Sequence, residues 1–177
     1  MKASGRVSFL ALAFLFAFSS CKNAKPSMQW TNEKIGPAFT LASDLNKATS
    51  CEVLRVDDAY PNKREAKKNS EDLHGYAILS KAVAVRAKSR RTLSAILSNP
   101  KTYIQYEEPP DCSFRPGIAF RFTDGSIQVD LLICFSCSEL RYYLNDEIVG
   151  TSFFRSSELR GLVKELFPDD KKIQSLK

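Results

Sequence analysis

Residues 118–122 and 127–133 (IAFRF and IQVDLLI) are apolar, alternating runs separated by Thr123-Asp124-Gly125-Ser126. Asp-Gly between two such runs is a strong short-range signal for a two-residue hairpin turn, because both residue types tolerate the positive φ that the turn requires. The reading is of two paired strands at the core of the fold, with Thr123 opposite Ser126. Carried outward, this register sets Cys112 opposite Cys137 at a non-hydrogen-bonded position, where facing side chains come closest. One bulge would redirect Cys112 to Cys134, so both partners stay open here. Pro116 falls where its missing N–H removes no bond to the partner, consistent with an edge strand.

Short strands and amphipathic helices surround this hairpin. Residues 51–56 (CEVLRV) have strand composition, and residues 76–85 suggest one or two further short strands. A helix is expected over 89–99, with Ser89 as N-cap, Leu93, Ile96 and Leu97 as its buried stripe, and Pro100 beyond its end. Residues 140–144 and 147–149 continue a meander about Asn145-Asp146, and 151–155 lead into a helix over 157–167. There Leu159, Leu162, Val163, Leu166 and Phe167 share one face. Gly36-Pro37 opens another candidate helix, with Leu41, Ala42, Leu45 and Ala48 on one side. Residues 57–75 read as a charged surface loop, in which acids interleave with Lys63, Arg64, Lys67 and Lys68. His74, the only histidine, reads as a surface or hydrogen-bonding turn residue. Together these elements predict one α+β domain over residues 37–177, a mainly antiparallel sheet or meander covered by two or three amphipathic helices.

The N-terminus points to an address. Lys2 and Arg6 precede an apolar run over 7–18, long enough for a signal-peptide core and short for a membrane span. Setting these two cations aside lowers the formal net charge from +6 to +4. That excess is too small and dispersed for nucleic-acid binding, which uses a basic stripe or a recognisable module. The run ends at Phe18-Ser19-Ser20-Cys21, followed by polar residues with no second apolar block. This resembles the lipobox of bacterial lipoproteins, with Phe18 where Leu is usual. The resemblance implies a signal peptide over 1–20, cleavage immediately before Cys21, and lipidation of Cys21. Residues 21–36 would form a tether, and Cys21 would hold the protein to the membrane of a bacterial cell envelope. Lys22 after the cysteine, in place of aspartate, favours the outer membrane over the inner.

Export would place Cys51, Cys112, Cys134 and Cys137 where disulfides form. Cys112 with Cys137 or Cys134 is the favoured pairing. Cys134-Phe135-Ser136-Cys137 also has the CxxC spacing of thiol–disulfide oxidoreductases, in a form that needs Ser138 to Arg141 to begin a helix. No thioredoxin-like βαβ pattern surrounds it. Zinc could use Cys112, Cys134 and Cys137 with His74 or Cys51, though a second CxxC is missing. No serine carries a nucleophile-elbow motif to match with His74. The expectation is therefore a monomer without catalytic residues, metal or cofactor, binding or scaffolding at the membrane surface with a protein or cell-wall partner and no nucleic acid. The alternative is a thiol-redox or zinc protein using the three clustered cysteines.

The motifs Cys-Ser-Phe-Arg-Pro-Gly from Cys112, Ile-Cys-Phe-Ser-Cys to Cys137, and Phe-Pro-Asp-Asp-Lys-Lys-Ile-Gln from Phe167 resemble an uncharacterised domain of bacterial secreted proteins and lipoproteins. The resemblance implies that this part folds as a unit and implies no reaction.

Overall fold

A computed structural model describes residues 45, 47–59 and 71–177. Strands β1 (Ser50–Arg55), β6 (Ile118–Asp124), β7 (Ile127–Cys134), β8 (Glu139–Leu144) and β9 (Glu147–Phe154) form the body of an antiparallel sheet. The two-residue strands β4 (Val83–Ala84) and β5 (Tyr103–Ile104) close its edges, in the order β4-β1-β6-β7-β8-β9-β5. Such short edges expose few unpaired backbone groups. This is the expected α+β class with a mainly antiparallel sheet.

The central hairpin forms with a different register. Asp124 pairs with Ile127, leaving Gly125-Ser126 as the loop, and Gly125 alone of the two takes positive φ, at 57°. A turn led by glycine spares Asp124 the left-handed conformation that an Asp-Gly loop would impose on it. The pairing moves by two residues, so every side chain keeps its expected face. A second correction concerns the edge: β6 lies between β1 and β7, and Cys112 and Pro116 precede it, outside the ladder.

Helices α1 (Ala87–Leu97) and α2 (Ser156–Leu166) pack on one face of the sheet. Leu93, Ile96, Leu97, Leu159, Leu162 and Val163 meet Val53, Ile118, Phe120, Leu131, Ile133, Leu140 and Phe154 in one buried cluster. Ala87 and Lys88, both good helix formers, start α1 ahead of Ser89, so Arg86 is the N-cap and has no side-chain cap bond. Residues 151–154 complete β9 and are not a connection to α2.

The opposite face is covered by a small hairpin, β2 (Asp72–Leu73) with β3 (Tyr76–Ala77), and by a strap over residues 112–116. Part of the expected 57–75 loop is therefore paired strand. The strap inserts Phe114 beside Leu73, Tyr76, Leu132 and Tyr143.

The C-terminal motif is a clasp. Asp170 accepts from the backbone N–H groups of Lys172 and Ile173, capping α3 (Lys171–Gln174), and pairs with Arg55 Nε at 2.7 Å. Gln174 Nε2 donates to the carbonyls of Lys164 and Phe167, each at 2.9 Å. Arg55 also donates to the Gly117 carbonyl, so one buried guanidinium joins β1, the strap end and the tail.

The expected leader, Cys21, tether and 63–68 basic cluster lie outside the described residues, as does most of the expected helix after Pro37. Leu45 from that segment is buried in the helix-side core. Among the described residues, no helix is long and apolar enough to cross a membrane.

Candidate functional site

The sheet face away from α1 and α2 carries a polar row. Arg121 on β6 pairs with Asp130 on β7, Asp130 with Tyr143 on β8, and Tyr143 with Ile148 on β9. Four residues on neighbouring strands thus line up across the sheet. A bulge after Tyr142 makes the last step possible, since Tyr142 pairs with Gly150 and Tyr143 with Ile148. The extra β9 residue there, Val149, re-aims Ile148 onto this face.

His74 is set over the row by the β2–β3 turn. His74 and Gly75 both take positive φ, 51° and 80°. The left-handed region costs a non-glycine residue about 1 kcal/mol or more, so the ring must be held by its surroundings. It stacks on Tyr143 with centroids 3.8 Å apart and 11° between planes, and its Nε2 lies 2.9 Å from Asp130 Oδ2. Its Nδ1 lies 3.4 Å from Asp146 Oδ1, in a second left-handed turn whose residues Asn145 and Asp146 have φ of 46° and 72°. The imidazole side chain is 3% exposed.

Asp130 is the hub. Arg121 Nε reaches its Oδ1 at 2.9 Å, and Gln128 Nε2 reaches its Oδ2 at 2.8 Å alongside His74. Burial alone would raise its pKa; the hydrogen bonds from His74 and Arg121, and their charges, outweigh burial and hold the carboxyl below its usual value. An ionised carboxylate only accepts, so His74 donates from Nε2. Burial pushes the Tyr143 phenol the other way, above its ordinary value.

Above this network is an open cleft of about 600 Å³, whose lining includes Asp72, His74, Arg121, Tyr143, Asp146 and Ile148. A His–Asp pair can orient a general base, but here the second ring nitrogen faces Asp146, and among the described residues the lining contributes no serine, threonine or cysteine. The chemistry present suits recognition: a stacked aromatic pair, a partly exposed guanidinium and two peripheral carboxylates on a rigid floor.

Cys134 lies four residues farther along β7, and the other two clustered cysteines lie off that strand. Cys112 and Cys137 have sulfurs 2.03 Å apart, at disulfide distance, with Cα atoms 5.7 Å apart. They meet because the strap crosses the β7–β8 turn that contains Cys137; the strand register invoked for this pair plays no part. Cys134 is buried beside them and free. Cys51, also free, sits in the helix-side core, where burial pushes its thiol up to about 12 despite Arg90. His74 thus pairs with Asp130 and does not join the sulfurs, and residues 139–141 continue as β8 where a redox CxxC required a helix start. Among the described residues, no group of three His, Cys, Asp or Glu side chains is placed to hold a metal ion.

Sequence reasoning missed Asp130. Its signal was a single carboxylate within IQVDLLIC, on the same strand face as Arg121. The expected register put Arg121 opposite Gln128 and so concealed the ion pair.

No protein-family model, curated protein or solved structure matches this chain.

Proposed function

We propose that this chain is a lipid-anchored protein of the bacterial cell envelope, held through Cys21 and acting by non-catalytic binding or scaffolding at the membrane surface. One observation carries the reading: Lys2 and Arg6, the apolar run over 7–18, and Ser19-Ser20-Cys21 stand in the order and spacing of a lipoprotein signal. Two or three acyl chains on Cys21 anchor a protein stably, whereas one is marginal. Lys22 favours the outer membrane over the inner.

The cleft supports binding in preference to turnover. Its buried polar groups are committed to one another, which fixes their geometry, while Arg121, Asp146 and Ile148 at its mouth can meet a protein or cell-wall partner. The chain acts as a monomer without a cofactor.

Expression of wild type and Cys21→Ala in a bacterial host, followed by detergent phase separation and intact mass, tests the anchor. Wild type should enter the detergent phase with residues 1–20 removed and acyl mass added; the variant should stay unprocessed and carry no acyl mass. A variant that is processed normally and still partitions with detergent would refute lipidation.

A further inference from the structure

We infer that Cys134 is the resident nucleophile of an internal thiol–disulfide exchange, able to attack Cys137, form a Cys134–Cys137 bond and release Cys112. The inference goes beyond the binding reading and does not depend on it.

Cys134 packs in the same buried cluster as Cys137, whose N–H points at its sulfur, while Cys112 reaches Cys137 from the strap, and the three cysteines have different surroundings. Cys134 is free and fully buried, whereas Cys112, at the start of the strap, is exposed. The backbone N–H groups of Arg115 and Cys137 point at the Cys134 sulfur, at 3.3 and 3.4 Å, and Ser136 Oγ lies 3.2 Å from it. Such donors bind the anionic sulfur of an attacking thiolate more strongly than they bind a thiol. The nucleophile is therefore inside, the attacked Cys137 sits on the same turn, and the leaving sulfur is outside.

The step balances without an external oxidant. As the strap opens locally, Cys134 gives up its proton to solvent, and its thiolate attacks Cys137 Sγ. The Cys134–Cys137 bond forms as the Cys112–Cys137 bond breaks, and the electron pair leaves on Cys112 Sγ, which takes up a proton.

The strap then loses its covalent attachment to the β7–β8 turn. It keeps the bond from Tyr76 Oη to the Phe114 carbonyl, at 3.4 Å, and the Arg141 guanidinium 4.0 Å above the Phe114 ring. Tyr76 begins β3 directly after the His74-Gly75 turn, so loosening the strap reaches the hairpin that positions His74.

Peptide mapping tests this. Full-length protein purified in detergent without reductant is held with N-ethylmaleimide at mildly alkaline pH, quenched in acid at intervals, and digested with trypsin. In the starting state peptides 102–121 and 122–141 are linked. Wild type should progressively yield peptide 102–121 labelled at Cys112 and peptide 122–141 with an internal disulfide. Cys134→Ser should slow Cys112 labelling by about tenfold or more. A Cys112→Ser variant treated with diamide should form the Cys134–Cys137 bond, and this arm decides the matter if Cys134→Ser misfolds. Label confined to Cys134 with the original link intact, equal Cys112 labelling in folded Cys134→Ser, or no Cys134–Cys137 bond in Cys112→Ser would each overturn the inference.

Discussion

On its helix side the sheet buries Phe120, Leu131, Tyr142 and Phe154 beneath α1 and α2, while alternate residues of the same strands bury Asp130, Leu132 and Cys134 under a hairpin and a strap, with Arg121 partly exposed beside Asp130. The first face is held by non-directional burial, which depends on area and packing. The second depends on a few directional contacts: one carboxylate with three side-chain donors, one stacked ring pair and one crosslink. A strand that alternates faces can thus carry a conventional core and a polar site on neighbouring residues. The division of labour shows what each face can lose. Truncation on the helix side should cost stability, whereas changes on the strap side should alter local geometry as well.

Phe120→Ala tests the helix side. Phe120 is fully buried between the sheet and the helices, and removing a ring from such a site costs about 3–5 kcal/mol through lost transfer energy and the cavity left behind. Urea denaturation should show a large fall in midpoint. A loss below about 1 kcal/mol would mean that this face is not the main support. Cys112→Ser comes next: the crosslink closes a loop with sequence separation 25, worth about 3 kcal/mol in the chain-entropy view. Its loss should also raise amide exchange in residues 112–116 and in the β2–β3 hairpin, a local effect that Phe120→Ala should not reproduce at equal destabilisation.

The helix-side face was legible because Leu159, Leu162, Val163 and the β6 and β7 apolar residues declare their periodicity, and period alone assigns a face. The second face was less so. Its contents depend on which residues stand opposite each other, and moving the loop from Asp124-Gly125 to Gly125-Ser126 exchanges Gln128 for Asp130 as the partner of Arg121. The cysteine pair was reached by counting along a ladder that does not extend to Cys112; the strap, an irregular segment fixed by Phe114 and Pro116, brings it there. His74 is near Asp130 only through the β2–β3 hairpin, a contact across 56 residues that no local pattern encodes.

Asp130→Asn is expected to cost about 2 kcal/mol. Removing one member of a buried pair leaves its partners unmatched, and the partial exposure of Arg121 softens the loss. The pH dependence follows from the lowered carboxyl: its contribution is complete above the unfolded carboxylate value near 4 and is lost as pH falls through the lower folded value. Asp170 adds to the same acid limb: burial would raise its carboxyl, but the Ile173 N–H, Arg55 and the Lys172 N–H together outweigh it and hold the carboxyl below its usual value. Thermal melts between about pH 2 and 6 should show a shallower acid decline in Asp130→Asn than in wild type. An unchanged slope would remove Asp130 from the energetics of the second face.

The smallest effect asks whether the Asn145-Asp146 turn holds His74 or merely adjoins it. Asp146 occupies the second position of a turn that prefers Asn-Gly, with φ of 72°, and its carboxylate reaches His74 Nδ1 only at 3.4 Å while 89% exposed. Asp146→Gly relieves the left-handed strain and removes a solvated contact worth at most about 1 kcal/mol, so stability should hold or rise by about 0.5 kcal/mol. Asp146→Ala loses the same contact but keeps the strain, and should fall by about the same amount. If glycine instead destabilises by more than about 1 kcal/mol, the turn is a structural member of the site. If the two variants diverge as expected while the His74 ring resonances remain close to wild type in both, the row from Arg121 to Tyr143 is sufficient to hold His74, and Asp146 is left free to meet a partner.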